Sequence, residues 1–384
     1  MTRALVIGGG LAGLLTSIEL ANHGIQATLI EPKAPGGRAR SQRLLGQTFN
    51  LGPHALYRRG HLMRILSKHG LTLLGGDPLA LKSTLRMQDG LHPLPGSLPA
   101  LLTHPVLAGA RINTLLKLAL RPKDMDVDTW LSDLPPLPRS FLYALLRLST
   151  YAPNPGSLSA PAAFDQLQLA QGGVLYLHGG WQSLVQGLVE KAKEKGVTLV
   201  RERATEVRAG WVRTEAGTHS ADEVIVATTA PTAQKLTGLE LSQELVLASC
   251  LDLGFAERPA GPSFCLDLER PIYASMHSDS AALGTGAVLH LMHYGRCSRQ
   301  VLEQWADAQY PAWREAQTKR WLPALQVSHG LLRAGVPRPS ARQAPGLLLA
   351  GDYVGPHGML ADACAASAEQ VRRAVCDAQQ TAAA

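Results

Sequence analysis

Short apolar runs alternate with one helical segment over the first thirty residues of the chain. Ala4–Ile7 is an apolar run typical of a buried strand, and the glycine-rich stretch Gly8–Gly13 follows it directly. Apolar residues then recur at helical spacing over Leu14–His23, which ends against a glycine. Ala27–Ile30 is a second apolar run, closed by the acid Glu31. The pattern predicts a strand–turn–helix–strand unit at the beginning of the chain.

Residues 60–165 have a different pattern. Leucine-rich segments with helical spacing are interrupted by proline-rich breaks at His92–Pro95 and Leu134–Pro138. Because proline does not fit inside a helix, these breaks predict a series of short helices. We interpret this segment as a helical cap.

The remainder of the chain returns to mixed helices and strands. Four β-rich runs in succession predict an antiparallel sheet that forms the floor of a second domain. The elements predicted in this part are the helix Trp181–Lys195, the strands Val197–Val200 and Glu223–Ala227, the β-rich runs Leu245–Phe255, Ser263–Leu268, Pro271–Ser278 and Ala287–Tyr294, the helix Gln300–Arg314, the strand Leu347–Ala350, and the C-terminal helix Asp362–Ala378.

Length and charge narrow the classes of protein that fit. At roughly 100–200 residues per domain, 384 residues predict two or three domains. Charged residues make up 17% of the chain, against about 25% in typical domains. This low share leaves more uncharged surface, which an apolar substrate cavity, an oligomer interface or a membrane surface would cover. The sequence predicts no particular oligomeric state. The net charge is +7, but Lys and Arg are scattered, so nucleic acid is not expected as a partner.

Two further features concern location. The basic residues between Arg111 and Lys123 surround the apolar stretch Leu115–Leu120; we favour a solvated helix face there, with peripheral membrane contact as the alternative. No apolar run reaches 18 residues, so no membrane-spanning helix is predicted. The five cysteines include no Cys-x-x-Cys pair, which predicts reduced thiols in a cytoplasmic protein and no metal site.

The glycine-rich stretch has the chemistry of a dinucleotide site. Gly8, Gly10 and Gly13 form a Gly-x-Gly-x-x-Gly motif between a predicted strand and helix, where glycine permits close approach to a diphosphate. The helix N-terminus adds free N–H groups and a positive dipole end. Glu31, at the end of the second strand, is placed to accept hydrogen bonds from a ribose diol. A glycine turn without ligand is the alternative interpretation.

Four more motifs accompany this one, and each is weak alone. Gly36–Arg40 combines two glycines with arginines that can neutralise a diphosphate. Near the C-terminus, a strand ends in a Gly-Asp turn, and a helix start follows that could stabilise negative charge on a bound group. The other motifs are Asn50–His54, the strand with its following turn Val224–Pro231, and the pair Leu349–Asp352 and Gly358–Leu360.

In this order and spacing, the motifs resemble the superfamily of flavin amine oxidases, protoporphyrinogen oxidases and phytoene-desaturase-type enzymes. The resemblance implies an α/β fold in which a Rossmann-type FAD-binding domain carries a second α+β substrate domain, an antiparallel sheet plus helical cap. The expected division is a discontinuous FAD-binding domain of residues 1–60, 166–240 and 320–384, and a substrate domain of residues 61–165 and 241–319.

The resemblance also implies which residues hold the non-covalent FAD. The N-terminal glycines and Glu31 hold the diphosphate and adenosine ribose, the Gly-Gly-Arg segment lines the diphosphate and flavin, Ala204 lies near adenine, and the C-terminal motif touches the ribityl chain and flavin ring. The implied set is Gly8, Gly10, Leu11, Ala12, Gly13, Glu31, Gly37, Arg38, Arg40, Gly52, Pro53, His54, Ala204, Gly351, Asp352, Gly358, Met359 and Leu360.

Within the superfamily, two departures weaken an amine-oxidase interpretation. Monoamine oxidases have a tyrosine after the glycine that opens the last helix, where this chain has Met359, and no lysine matches their flavin-facing lysine. Asn50–His54 and Pro271–Ser278 look more like the desaturase and protoporphyrinogen branches. The implied substrate is hydrophobic, polyene-like or isoprenoid-like, and is dehydrogenated or isomerised by hydride transfer to flavin N5.

The catalytic base is left open. His54 is the first candidate, because neutral imidazole accepts protons near pH 7 and His54 lies in a flavin-side motif; His277 and His293 are weaker candidates. Three alternative functions remain: an amine oxidase, a flavin-free binding protein like the GDP-dissociation inhibitors of the same fold, and a nicotinamide dehydrogenase. The chain has no second dinucleotide motif, so oxygen, a quinone or another acceptor would reoxidise the flavin directly.

Overall fold

The computed structural model describes residues 2–78, 82–241 and 244–383, with side chains up to residue 378. The predicted domain limits at residues 1 and 384 lie outside this range. The helices are α1 (Leu11–Ala21), α2 (His61–Lys68), α3 (Leu98–Thr103), α4 (Arg111–Ala119), α5 (Val127–Trp130), α6 (Pro136–Thr150), α7 (Ala160–Gln171), α8 (Trp181–Glu194), α9 (Ala230–Thr237), α10 (Arg299–Gln309) and α11 (Leu360–Ala383).

The strands belong to two large sheets and three small ones. They are β1 (Arg3–Ile7), β2 (Gln26–Ile30), β3 (Ser41–Leu44), β4 (Gln47–Asn50), β5 (Leu56–Tyr57), β6 (Gly75–Gly76), β7 (Ser83–Met87), β8 (Gly90–Pro93), β9 (Val174–Leu177), β10 (Thr198–Val200), β11 (Ala204–Arg208), β12 (Trp211–Thr214), β13 (Thr218–Ser220), β14 (Glu223–Val226), β15 (Val246–Phe255), β16 (Phe264–Asp267), β17 (Ile272–Met276), β18 (Ala287–Tyr294), β19 (Thr318–Ser328), β20 (Arg342–Ala344) and β21 (Leu347–Leu349).

The first large sheet has the strand order β10-β2-β1-β14-β21-β20. Its strands pair in parallel except for β20, which runs antiparallel to β21. Apolar runs such as Val224–Val226 are buried throughout, as parallel strands covered on both faces must be. Helix α1 packs against α8 and α11, so segments from both ends of the chain complete this layer.

The second large sheet has the order β19-β15-β18-β17-β16-β7-β8. All its pairs are antiparallel except β16 with β7. Residues alternate between its faces, as side chains on a strand do. Cys250 and Met292 pack toward the cap, whereas Leu251 and Leu291 pack toward α10. The sheet therefore lies between the cap and α10.

The α/β fold, with a Rossmann-type layer and a second α+β layer, agrees with the prediction. Helices α3–α7 form the predicted cap, but residues 83–93 add two strands that the leucine and proline pattern did not indicate. The predicted limit at residue 320 falls inside β19, which pairs with β15 in the second sheet. Helix α11 begins at Leu360, two residues before the predicted start, and ends later. Among the residues described, no helix is long and apolar enough to span a membrane.

Candidate functional site

A cavity of about 720 Å³ is lined by residues of both large sheets, of α1 and α11, and of the cap. Charged side chains are concentrated where the glycine-rich turn and the C-terminal Gly-Asp turn meet. Apolar and aromatic side chains line the part contributed by the cap and the second sheet. The cavity thus has a charged end and an apolar end.

The first turn of α1 opens onto the charged end. Apart from its two chain neighbours, no described residue would lie within 4 Å of a Cβ atom built on Gly10, whereas a Cβ on Gly13 would lie 1.8 Å from the carbonyl oxygen of Gly8. Gly13 is therefore required for packing of helix against strand, and Gly10 leaves space beside the free N–H groups of the helix N-terminus. Such a cradle suits the diphosphate of a dinucleotide.

Glu31 lies between this turn and the cavity. Its carboxylate accepts hydrogen bonds from the backbone N–H of Gly9 at 2.7 Å and of Lys33 at 3.1 Å. A carboxylate has about four acceptor positions, so these bonds leave room for a ribose diol. Glu31 thus braces the glycine-rich turn as well as lining the cavity.

Arg38 and Asp352 join the two ends of the chain. The Arg38 guanidinium donates two hydrogen bonds of 2.9 Å to the Asp352 carboxylate and a third to the carbonyl oxygen of Val327. Burial opposes ionisation of Asp352, but the charge and hydrogen bonds of Arg38 outweigh it and hold the pKa of that carboxyl below its usual range. Both residues line the cavity, but each uses much of its hydrogen-bonding capacity on the other.

Arg40 is the cation at this end that the described residues leave without a carboxylate partner. Its Nε donates to the carbonyl oxygen of Gly37 at 3.1 Å, which holds the guanidinium beside the cavity. The Arg40 guanidinium therefore keeps more of its hydrogen-bonding capacity free for an anion in the cavity than Arg38 does.

The start of α11 is the second helix N-terminus at the cavity. Leu360 lines the cavity with a positive φ of 55°, and Ala361 and Asp362 line it beside Leu360. Asp362 accepts a hydrogen bond from the backbone N–H of Leu62 at 2.8 Å and so caps α2. Burial raises the pKa of Asp362 to about 6. Met359 is buried in the core under the cap instead.

The three candidate histidines differ in position. His54 lines the cavity, and its Nδ1 donates to the carbonyl oxygen of Gly52 at 2.9 Å, so Nε2 retains its lone pair. Burial lowers the pKa of His54 to about 4, which keeps the ring neutral at pH 7. His277 also lines the cavity, where burial lowers its pKa well below the usual value. His293 lies outside the cavity lining, with Nδ1 3.2 Å from the carbonyl oxygen of Gly295.

Tyrosine side chains dominate the apolar end. Tyr151 from the end of α6, Tyr176 from β9 and Tyr273 from β17 line it, together with aliphatic residues such as Leu94 and Leu148. No Asp, Glu, Lys or Arg is found among the described lining residues that the cap and the second sheet contribute. No sequence motif marks these tyrosines as lining residues; inward alternation along Pro271–Ser278 is a signal for Tyr273, and none points to Tyr151.

A polar row crosses the second sheet behind the apolar end. In the strand register Arg320 lies opposite Asp252, Asp252 opposite His290, and His290 opposite Ser275. Asp252 accepts from Arg320 at 2.6 Å and lies 2.6 Å from Nδ1 of His290. Both Asp252 and His290 are fully buried, and none of the residues that the structure describes gives the Nε2 atom of His290 a hydrogen bond. The four members come from four separate strands, so sequence spacing did not indicate them.

Most of the predicted cofactor-binding residues line this one cavity, and together they fit a dinucleotide. Gly13, Gly52, Gly358 and Met359 do not line it. Gly52 has a φ of +78°, and a Cβ there would lie 2.4 Å from Leu325, so it is needed for a tight turn. The predicted residues in the lining are Gly8, Gly10, Leu11, Ala12, Glu31, Gly37, Arg38, Arg40, Pro53, His54, Ala204, Gly351, Asp352 and Leu360.

The amino-acid sequence matches the model of a known protein family over more than half of its length. The model of flavin containing amine oxidoreductases matches residues 11–251, more than half of the chain. An uncharacterized protein in the nifH2 3' region of Methanothermococcus thermolithotrophicus is 33% identical over 69 residues, which are 17% of this chain and 68% of that protein. The short match covers a small part of the chain.

Solved structures share the fold across the whole chain. An oxidoreductase from Methanosarcina mazei superposes with a TM-score of 0.73 at 16% identity, covering 97% of this chain and 100% of the other. Cyclohexylamine oxidase from Brevibacterium oxydans superposes with a TM-score of 0.70 at 14% identity, covering 99% of each chain. At these identities the similarity concerns the fold.

Proposed function

The chain belongs to the flavin-containing amine oxidoreductase family and is an FAD-dependent oxidoreductase, and from that premise we propose that it dehydrogenates a neutral, mainly apolar substrate. Bound FAD supplies the two-electron acceptor. The residues of the charged end hold the cofactor in this proposal, with Gly10 and Arg40 at its diphosphate. The apolar end receives the substrate.

The separation of charge along the cavity supports this assignment. The charged lining residues belong to the motifs assigned to FAD, or lie next to them as Arg203 and Asp362 do. The cap and the second sheet contribute no charged side chain to the described lining. An ionised substrate buried there would lose its hydration without gaining a counterion, which is costly. A neutral hydrophobic molecule, polyene-like or isoprenoid-like, carries no such penalty.

The protein's own groups orient the substrate, exclude water and receive a proton. The tyrosine and leucine side chains form a dry wall. His54 and His277 are neutral at pH 7 because burial lowers the pKa of each. His54 holds its Nδ1 proton on the Gly52 carbonyl, so Nε2 is the atom at which it would accept a substrate proton.

Amine oxidation is the second candidate. Three tyrosine rings line the apolar end, and aromatic faces attract ammonium ions through cation–π contact. The fold is also shared with cyclohexylamine oxidase. The absence of a carboxylate from the described lining of that end makes a charged amine the poorer fit.

A flavin spectrum followed by anaerobic reduction distinguishes the candidates. The purified protein is expected to be yellow, and colour that neither purifies with it nor returns on addition of FAD would contradict the cofactor. The yellow protein is then mixed, without oxygen, with squalene, a long-chain isoprenoid alcohol, and amines including cyclohexylamine. Bleaching by the neutral compounds supports the proposal, and bleaching by amines alone supports the second candidate.

A charge placed in the apolar end provides a variant test. Leu148→Glu adds a carboxylate to the cavity lining and should weaken reduction by neutral compounds. Leu145→Glu is the matched control, because Leu145 is also half-buried on α6 but does not line the cavity. Equal losses in the two variants would contradict the assignment of the substrate to this end.

A further inference from the structure

A short hydrogen-bonded chain ends at the apolar part of the cavity. The hydroxyl of Tyr151 lies 3.1 Å from the carbonyl oxygen of Pro53 and 3.0 Å from the hydroxyl of Tyr273. A carbonyl oxygen can only accept, so the single proton of Tyr151 is donated to Pro53. The bond between the two phenols must then be donated by Tyr273.

Both phenols are neutral, so each has one hydroxyl proton, and both protons are donated within the Tyr273–Tyr151–Pro53 chain. Burial raises the pKa of Tyr151 and of Tyr273 above the usual value. With both protons committed, the oxygens retain only lone pairs: one on Tyr151 and two on Tyr273. Tyr57, another tyrosine of the lining, donates its proton to the carbonyl oxygen of Ser149 at 2.9 Å.

Ring packing holds this chain in place. Tyr273 stacks on Tyr294 with ring centroids 5.5 Å apart and an interplanar angle of 28°. Phe264 lies against the Tyr273 ring at 5.9 Å, and Tyr151 meets the same ring edge-on at 6.4 Å. Tyr273 is fixed further by its position in the middle of β17. The lone pairs are thus presented from rings that cannot turn away without disrupting the packing.

We propose that the Tyr273–Tyr151–Pro53 chain is a hydrogen-bond acceptor site that selects substrates carrying a neutral N–H or O–H group on an otherwise apolar body. The inference rests on the proposed function and narrows its substrate class. Pro53 belongs to the segment assigned to the flavin side, so the donor group of the substrate lies near the reacting end. Substrates with only acceptor groups there would leave the phenol lone pairs unpaired, which is unfavourable.

A matched pair of ligands tests the selection without turnover. The yellow holoprotein is titrated with 1-dodecanol and with its methyl ether, which has the same chain and oxygen but no donor, and the perturbation of the flavin spectrum is followed. Dodecanol should bind about 2- to 10-fold more tightly, the value of one neutral hydrogen bond. The double variant Tyr151→Phe with Tyr273→Phe should bind both ligands equally.

Tyr57→Phe is the control for loss of a phenol from the cavity lining. Its hydroxyl is committed to Ser149, so the preference for the alcohol should persist. Equal binding of alcohol and ether by the wild type, or tighter binding of the ether, overturns the acceptor site but leaves the apolar cavity intact. Failure of both ligands to perturb the flavin overturns the proposed function itself.

Discussion

Gly10→Ala separates the space reserved for the cofactor from the packing of the fold. Gly10 has extended backbone angles, φ −76° and ψ −175°, which any residue adopts. Apart from its two chain neighbours, the added Cβ meets no described residue within 4 Å. The folded protein without FAD should therefore change in stability by less than about 1 kcal/mol, because a small loss at the helix N-cap is offset by lower entropy of the unfolded chain.

The effect on FAD should be much larger. If the diphosphate fills the space beside Gly10, the new methyl group overpacks it, which typically costs about 1–3 kcal/mol. That is a loss of about 5- to 150-fold in affinity. Titration of FAD into the apoprotein measures the dissociation constant, and thermal unfolding of the same apoprotein measures the stability.

Gly13→Ala is the control in the same turn. Its Cβ would lie 1.8 Å from the Gly8 carbonyl oxygen, so the strand and helix must separate and the apoprotein itself should be strongly destabilised. Wild-type FAD affinity in Gly10→Ala would refute the placement of the diphosphate. A Gly13→Ala apoprotein as stable as wild type would refute the geometry of the turn.

Three further predictions concern carboxylates. Glu31→Ala should weaken FAD binding about 10- to 150-fold in the same titration, since hydrogen bonds to a charged group are worth about 1.5–3 kcal/mol; Glu31→Gln keeps one acceptor oxygen and should lose less, and wild-type affinity in Glu31→Ala would contradict the ribose assignment. Asp252→Ala removes the carboxylate shared by the buried His290 and the half-buried Arg320, and should cost about 3–5 kcal/mol in urea unfolding at pH 7. The pKa of Asp252 is lowered in the fold, so this difference should shrink below about pH 4 and a constant difference would contradict it. Asp362 has a pKa raised to about 6, so its contribution to stability falls as the pH rises through that value; Asp362→Asn should raise the melting temperature of the apoprotein at pH 8 more than at pH 5, and equal shifts would speak against the raised pKa.

Local sequence signals predicted the parts of the site that one segment supplies. The turn Gly8–Gly13 and the acid Glu31 lie within one strand–helix–strand unit, where spacing fixes geometry. The same holds for Leu349–Asp352, which ends a buried strand. These segments meet at one cavity because parallel strands end at the same edge of the sheet.

Contacts between segments that are far apart in the sequence were not predicted. Arg38 was assigned to the diphosphate, but its strongest partner is Asp352, which no local pattern pairs with it. Arg320, Asp252 and His290 come together only through strand register. Register depends on which strands become neighbours, and β19 was not predicted at all, since a proline interrupts its apolar pattern.

The ion pair between Arg38 and Asp352 has a consequence for biogenesis. The partners are separated by 314 residues, so at about 5–20 residues per second roughly 15–60 s pass between their appearance during translation. Until the end of that interval β21 and α11, which complete the cavity around the turn Gly8–Gly13, have not been synthesised. Coenzyme loading must therefore await release of almost the entire polypeptide, and truncated translation products will accumulate colourless.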